Sequence, residues 1–168
     1  MERAWRLAVV VTAALVVAVP ASAMTDGGVG LSLEWPAQGV VTRGFGYDPT
    51  MGESHPGIDI GTLSSLDVRA AASGVVAAVG YAPGFEGYGN VVLVDLGFGL
   101  QALYAHLSSV RVAAGDWVWA GELLGQAGCT GYCTGTHLHF ELRDDGVAFD
   151  PSPLLPVAGE AASPRSPG

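Results

Sequence analysis

The sequence predicts an all-β fold, a mainly antiparallel sandwich or half-open barrel built from short strands. Apolar residues occur in short runs and not at the 3.6-residue spacing of an amphipathic helix. The counts of Gly 25 and Pro 10 supply many turns, and Val- and Leu-rich segments follow one another closely. A chain of 168 residues that is 49% hydrophobic and rich in Gly and Pro suits one domain with tails, and it fits neither a disordered protein nor a helix bundle.

The strand candidates are short apolar segments bounded by turn residues. In chain order they span residues 40–45, 74–79, 90–95, 100–107, 117–119, 137–143 and 147–149. A turn with two Gly over residues 96–99 separates two of them, which predicts a β-hairpin at that point.

The segment 137–143 has the clearest alternation of apolar and polar residues. Its apolar face consists of Leu138, Phe140 and Leu142. Its polar face carries His137, His139, Glu141 and Arg143. Side chains two positions apart on a strand point to the same side, so the two imidazoles are available to share a site.

The N-terminus has the three parts of a secretory signal peptide. Arg3 and Arg6 precede an uncharged apolar run over residues 7–19, and a small-residue A-x-A site ends at Ala23. The run is shorter than the roughly 20 residues of a membrane-spanning helix, which disfavours the alternative of an uncleaved anchor. We expect cleavage near Ala23, a mature chain without a membrane span, and a secreted or envelope location in the periplasm or cell wall.

The charge of the chain excludes one class of partner. Seven basic residues, all of them Arg, stand against 16 acidic residues, and the net charge is −9. Binding to a phosphate backbone requires a basic surface. We therefore expect no nucleic acid partner.

The two cysteines lie four positions apart around Gly131. In an exported protein, Cys129 and Cys133 are expected to form a disulfide, because the compartment is oxidising and the glycine permits a tight turn. Two free structural thiols, or one nucleophilic thiol of a thiol peptidase, are the alternative interpretations.

The four histidines are concentrated in three short segments. His55 lies four residues before Asp59, His106 ends an apolar segment, and His137 and His139 share a strand face. A single His is usually a surface or hydrogen-bonded structural residue, but this grouping is not typical of that role. A catalytic zinc site needs three His or carboxylate ligands and an open position, and the remaining His can transfer protons. The residues themselves therefore predict an exported metal hydrolase.

Three separated motifs resemble those of the M23 metallopeptidases, the lysostaphin/LytM-type peptidoglycan endopeptidases. They are His55-x-x-x-Asp59, the Tyr-Ala-His-Leu segment at 104–107, and His137-x-His139 within Gly-Thr-His-Leu-His-Phe-Glu. The resemblance covers roughly residues 35–155. It implies the β-fold of that family and a zinc endopeptidase acting on peptidoglycan peptides.

The resemblance also implies a role for each site residue. One Zn²⁺ per chain would be held by His55, Asp59 and His139, with water as the fourth ligand. His106 and His137 would be catalytic. By the same resemblance His137 is favoured as the base and His106 as the donor to the oxyanion, although the sequence itself does not order them.

Three further side chains have two open interpretations each. Glu141 is either a partner that fixes an imidazole tautomer or a solvated surface carboxylate. Tyr104 and Tyr132 either line the substrate groove or pack within a strand or loop.

The whole chain is thus expected to contain four segments. These are a signal peptide over residues 1–23, a lead-in over 24–34, the peptidase domain over 35–155, and a disordered Pro/Ser/Ala tail over 156–168. We expect a monomer. The alternative function is a non-catalytic LytM-like domain that binds and activates another wall hydrolase, although such domains usually lack a ligand or a catalytic His. The cleaved bond, glycyl-glycine or D-Ala–diamino acid, is left open by the sequence.

Overall fold

The computed structural model describes residues 33–61 and 63–157. The signal peptide predicted over residues 1–23 lies outside the described residues. The same holds for nearly all of the lead-in over 24–34 and of the tail over 156–168.

The described residues form thirteen strands and one short 3₁₀ helix, with no α-helix among them. The elements are β1 (Val40–Arg43), β2 (Gly46–Asp48), β3 (Glu53–His55), β4 (Ile58–Gly61), β5 (Asp67–Arg69), β6 (Gly74–Gly80), β7 (Val91–Gly97), β8 (Leu100–Ala105), β9 (Ser109–Val110), β10 (Trp117–Val118), β11 (Leu123–Gln126), β12 (Leu138–Asp144), β13 (Val147–Phe149) and the 3₁₀ helix Ser152–Leu154.

Three open sheets contain all of these strands. The largest has the order β1-β4-β12-β8-β7-β6-β10, and β13 pairs with β12 beside this path. A three-stranded sheet has the order β5-β11-β9, and β2 pairs with β3 as a separate hairpin. Every strand pair in the described part of the chain is antiparallel. The predicted all-β, mainly antiparallel, unclosed architecture is confirmed.

Each predicted strand segment overlaps an observed strand, and the predicted hairpin is confirmed as β7–β8. Its two turn residues, Phe98 and Gly99, have φ values of 54° and 83°. Positive φ at both central positions is what a two-residue turn needs to match the twist of its strands. The short strands β2 to β5, β9 and β11 were not among the predicted segments, because two to four residues are too few to show a period.

The main core lies on one face of the large sheet. Its largest fully buried members are Tyr104, Phe140, Leu33, Ile58, Ile60, Leu107, Leu124, Leu138, Leu142 and Val68. This confirms that the alternating apolar residues of β12 face a core.

The opposite face of the same sheet is also covered. Leu103 and Ala105 lie there in a small second cluster, against which Phe85 and Tyr88 pack. The register places Glu141 opposite Leu103 and His139 opposite Ala105, so the polar side chains of β12 share this covered face. The exposed fraction of Glu141 is 0% and that of His139 is 4%. The interpretation of Glu141 as a solvated surface carboxylate is therefore wrong.

In the part of the chain that the structure describes, no helix has the length and apolar character needed to cross a membrane.

Candidate active site

Two neighbouring strands and one strand end bring together the three predicted metal ligands. His139 on β12 is the register partner of Asp59 on β4, and His55 is the last residue of β3. Between β3 and β4 the chain passes so close to β12 that a Cβ at Gly57 would collide with the carbonyl oxygen of Phe140. Glycine at this position lets β4 dock against β12, and this docking sets Asp59 beside His139.

The inward-facing atoms of these three side chains form a tight triangle. The distance from Asp59 Oδ1 is 2.8 Å to His139 Nδ1 and 3.1 Å to His55 Nε2. The two imidazole nitrogens are 3.0 Å from each other. All three atoms converge on one point, and the group has the composition of a metal site.

The outer nitrogens of the two histidines define their tautomers. His55 Nδ1–H donates to the carbonyl oxygen of Gly44 at 2.8 Å, and His139 Nε2–H donates to Glu141 Oε1 at 2.9 Å. Because these oxygens can only accept, the neutral rings turn their lone pairs inward, toward each other and toward Asp59. Three converging electron-pair donors need a cation between them.

The donor set fits zinc. Two imidazole nitrogens and one carboxylate oxygen are accepted ligands, and bond lengths of about 2.0–2.1 Å would place tetrahedral ligand atoms about 3.3 Å apart. The observed separations of 2.8 to 3.1 Å come close to that spacing.

The ionisation of this group reflects the same geometry. Burial disfavours the charged form of Asp59, but the close contacts of its carboxylate with the imidazole nitrogens of His139 and His55 outweigh it, and the pKa of Asp59 falls well below its usual value. Burial likewise opposes the imidazolium of His139, yet the hydrogen bonds to Asp59 and Glu141 raise its pKa above the ordinary 6.5. Both shifts show that the surroundings of these side chains favour a positive charge at this point of the cleft.

Glu141 anchors a buried network behind His139. Its carboxylate accepts hydrogen bonds from Tyr88 Oη at 2.7 Å and Arg143 Nη1 at 2.7 Å, besides the bond from His139. Burial raises the pKa of Glu141, but these partners outweigh it and lower the pKa, which keeps the group ionised. An ionised Glu141 holds His139 in the tautomer that points Nδ1 at the centre.

Sequence reasoning missed Tyr88. Its hydroxyl binds Glu141, its ring packs edge-on to His139 with the centroids 5.4 Å apart, and its backbone carbonyl also accepts from His106 N–H at 2.9 Å. The only signal in the sequence was an aromatic residue between Gly87 and Gly89, which by itself is typical of an ordinary turn.

His106 lies one residue beyond the end of β8. Its φ is 59°, in the left-handed region that non-glycine residues rarely adopt. Its Nδ1–H donates to the carbonyl oxygen of Thr130 at 2.8 Å, which leaves the Nε2 lone pair free. Burial is the main cause that lowers the pKa of His106.

His137 lies one residue before β12 and not within it. Its backbone bridges to Gly128, and its Nδ1–H donates to the carbonyl oxygen of Gly135 at 2.7 Å. Its Nε2 lies 3.6 Å from Asp59 Oδ1, and its ring centroid is 4.8 Å from that of His106. His106 and His137 therefore form a second pair beside the three converging atoms.

All five predicted site residues line one open cleft of about 920 Å³. Tyr132 also lines it and is 90% exposed, in agreement with the groove interpretation of that residue. Tyr104 does not line it: this side chain is fully buried in the core, where its hydroxyl accepts a hydrogen bond from Ala71 N–H at 2.7 Å.

A disulfide joins Cys129 and Cys133, as predicted, with the two Cα atoms 5.3 Å apart. Both sulfurs are consumed by this bond, so the thiol-peptidase alternative loses its nucleophile.

Comparison with known proteins gives a consistent picture. The model of Peptidase family M23 matches residues 53–151. The DD-carboxypeptidase/endopeptidase Mpg of Neisseria meningitidis is 40% identical over 114 residues, which are 64% of this chain and 26% of that protein. The chain thus spans about a quarter of the length of this curated relative.

Two solved structures share the fold. The catalytic domain of the prophage-encoded M23 protein EnpA from Enterococcus faecalis, solved as a point mutant, matches with a TM-score of 0.64 at 29% identity, over 77% of this chain and 98% of that one. The SpoIIQ–SpoIIIAH pore-forming complex matches with a TM-score of 0.66 at 28% identity, over 80% of this chain and 99% of that one.

Proposed function

The chain belongs to peptidase family M23, and we propose that it is an exported zinc metalloendopeptidase that hydrolyses the peptide crosslinks or stem peptides of bacterial peptidoglycan. The observation that carries the proposal is the convergence of His55 Nε2, Asp59 Oδ1 and His139 Nδ1, with no proton donor among them in the neutral tautomers. The similarity to a DD-carboxypeptidase/endopeptidase supports the substrate class.

These three side chains are the proposed ligands of one zinc ion per chain. When bound, zinc polarises the scissile carbonyl and lowers the pKa of a coordinated water to about 7. Asp59 and the two imidazoles set the charge and geometry of the centre. Glu141 and the carbonyl of Gly44 hold the two rings in the required tautomers.

His137 is the proposed acceptor of the proton of the attacking water. Its Nδ1–H is engaged by Gly135, so Nε2 has the lone pair available in the cleft. The imidazolium that results has its Nε2 3.6 Å from Asp59 Oδ1, and the nearby carboxylate stabilises that charge.

His106 is the proposed donor to the oxyanion. Because its Nδ1–H is engaged by Thr130, it donates from Nε2 only as the imidazolium, whose second proton is taken up from solvent in the open cleft. Burial lowers its pKa in the resting protein, whereas negative charge developing on the substrate oxygen raises that pKa again. The donor is thus strengthened in the transition state more than in the ground state.

The proposed catalytic unit is the domain over residues 35–155. It would reach its substrate after cleavage of the N-terminal segment near Ala23, in the periplasm or at the cell wall.

A second candidate function is that of a non-catalytic domain that binds and activates another wall hydrolase. The fold similarity to the SpoIIQ–SpoIIIAH complex supports an interaction role for such a domain. The complete set of three donors and two further histidines favours the enzyme over this candidate.

Digestion of purified sacculi separates the two candidates. Zinc-loaded protein is incubated with sacculi of glycyl-glycine and of direct D-Ala–diamino acid crosslink type, and the released fragments are analysed by mass spectrometry. We expect new peptide termini in at least one type, their loss with a chelator, and their return with Zn²⁺. No new termini from either type, together with stimulation of a second hydrolase, would establish the non-catalytic role.

A further inference from the structure

The disulfide ring, residues 129–133, packs backbone to backbone against the loop of residues 87–90. At the centre of the ring, Gly131 has φ of 73°, and a Cβ at this position would collide with backbone atoms of Gly87 and Gly89. The approach is reciprocal, since a Cβ at Gly89 would collide with Thr130. Two glycines with positive φ thus permit a contact that side chains would prevent.

Hydrogen bonds connect the disulfide ring to this loop and to Leu107, the residue after His106. Tyr132 N–H donates to the carbonyl oxygen of Gly87 at 2.7 Å, and Asn90 N–H donates to Thr130 Oγ1 at 3.0 Å. Thr130 Oγ1 in turn donates to the carbonyl oxygen of Leu107 at 2.9 Å. One hydroxyl therefore connects the ring to both of its neighbours.

His106 lies between the two fastened elements. Its backbone N–H donates to Tyr88 in the 87–90 loop at 2.9 Å, and its Nδ1–H donates to the carbonyl of Thr130 in the ring at 2.8 Å. The left-handed backbone of His106, with φ of 59°, needs such surroundings to persist. Both the main chain and the ring orientation of His106 depend on the contact of the disulfide ring with the 87–90 loop.

The proposed zinc ligands are held directly by groups outside the disulfide ring. Tyr88 of the 87–90 loop contacts Glu141 and His139, but it does so with side-chain atoms that make no hydrogen bond to the disulfide ring among the described residues. His55 and His139 are held by Gly44 and Glu141, and among the described residues the disulfide ring contributes no hydrogen bond to either imidazole. Loosening the disulfide ring should therefore disturb the position of His106 and leave the metal site intact.

We propose that the Cys129–Cys133 disulfide, with Thr130 inside its ring, is the positioning element that fixes the tautomer and orientation of His106. Thr130 is a positioning residue, since it acts through His106. The consequence of the proposal for turnover rests on the proposed function, whereas its consequence for the tautomer of His106 does not.

The test compares three forms of the zinc-loaded protein with the oxidised wild type. Thr130→Val keeps the shape of the side chain but loses both hydroxyl hydrogen bonds, and Thr130→Ser keeps both. The third form is wild type reduced with a phosphine. Ser108→Ala is the matched control. Ser108 lies two residues after His106, and its hydroxyl donates to the carbonyl oxygen of Ala127, so the change removes a nearby hydroxyl hydrogen bond without touching the disulfide ring.

Two measurements are made on each form. Two-bond ¹H–¹⁵N NMR reports which nitrogen of His106 carries the proton, and zinc content is measured beside kcat and KM on peptidoglycan peptides. We expect the Nδ1–H tautomer in the wild type, Thr130→Ser and Ser108→Ala. We expect mixed tautomers in Thr130→Val and in the reduced protein, because the hydrogen bond from Nδ1–H to Thr130 is weakened. The imidazole of His106 is then free to turn away from the substrate oxygen, and we expect kcat about 10- to 100-fold lower with KM and zinc content unchanged.

An unchanged His106 tautomer in both Thr130→Val and the reduced protein would overturn the proposal, whether or not the protein is active. Loss of zinc in the reduced protein would also overturn it, because the disulfide ring would then support the metal site. A wild-type protein without peptidase activity would contradict the proposed function. The NMR result would still decide whether the disulfide ring fixes the tautomer of His106.

Discussion

The three proposed ligands and the two proposed catalytic histidines occupy one cleft but are built differently. Asp59 and His139 lie within paired strands of the large sheet, and His55 ends a strand that pairs with β2. His106 and His137 lie just outside strand ends and depend on carbonyl groups of the segment 128–135. Backbone ladders thus fix the three proposed ligands, whereas a loop fixes the two proposed catalytic histidines, and the loop is the part that a local change can disturb.

Removing one of the three proposed ligands should have the largest effect on zinc content and activity. His55→Ala or Asp59→Ala leaves two donors, so we expect nearly complete loss of zinc and loss of cleavage below detection. Elemental analysis of the purified protein, beside the release of peptides from sacculi, checks this. Thr42→Ala, which removes a hydroxyl bound to the backbone carbonyl of Asp59, tests whether mere disturbance of β4 has the same effect. Full zinc content in Asp59→Ala would contradict the proposed ligand set.

Removing one of the two proposed catalytic histidines should lower turnover without lowering the zinc content. We expect His106→Ala to keep close to one zinc per chain while kcat falls on the order of 10²–10⁴-fold, as for a general acid–base group. The measurement is zinc content and turnover on the same preparation. Wild-type turnover in this variant would show that His106 has no part in the reaction.

Weakening the support of a ligand should have an intermediate effect. Glu141→Gln keeps the size of the side chain but removes the charge that orients His139 and pairs with Arg143. We expect zinc affinity to fall about 10- to 100-fold, measured by competition with a chelator of known affinity. Glu122→Gln is the control, because among the described residues that carboxylate accepts a hydrogen bond only from the backbone N–H of Trp119 and does not line the cleft. Equal zinc affinity in both variants would remove Glu141 from the metal site.

The smallest expected effect is the dependence of the stability of the protein on pH. The pKa of His139 is raised in the metal-free protein, so its contribution to stability is complete below the unfolded value of about 6.5 and is lost as the pH rises through the folded value. Zinc binding requires the neutral ring and strengthens over the same interval. We expect Tm of the metal-free protein to fall between about pH 6 and 8, and the increase in Tm on adding zinc to grow.

The metal-free His139→Gln variant is the control for this pH dependence, since it should lack most of the fall in Tm. An equal increase in Tm on adding zinc at about pH 6 and at about pH 8 would contradict the proposed linkage between His139 and the metal.

Local sequence information predicted those features whose causes are local. The hairpin at Phe98 and Gly99 needs only two residues that accept positive φ, and the disulfide needs only two cysteines four positions apart. The alternation of β12 correctly placed its apolar residues in the core. Three short motifs likewise indicated five candidate site residues, and these side chains line one cleft.

Features that depend on distant segments were not predictable in the same way. The burial of Glu141 results from Phe85 and Tyr88, which cover its side of the sheet from more than 50 positions away in the chain. Tyr104 appeared available for the groove, but its register opposite Phe140 turns it into the core. The short strands that carry His55 and Asp59 form because β4 docks on β12, and their own sequences are too short to show a period.

The division into ligands and catalytic histidines is tested most directly by His137 and His139. These residues lie two positions apart, His137 just before β12 and His139 within it. Zinc per chain is measured beside the rate of peptidoglycan cleavage for His137→Ala and His139→Ala. The account predicts that His139→Ala loses both zinc and activity, whereas His137→Ala keeps close to one zinc and loses about 10²–10⁴-fold in turnover. Loss of zinc in His137→Ala with retention in His139→Ala would contradict it.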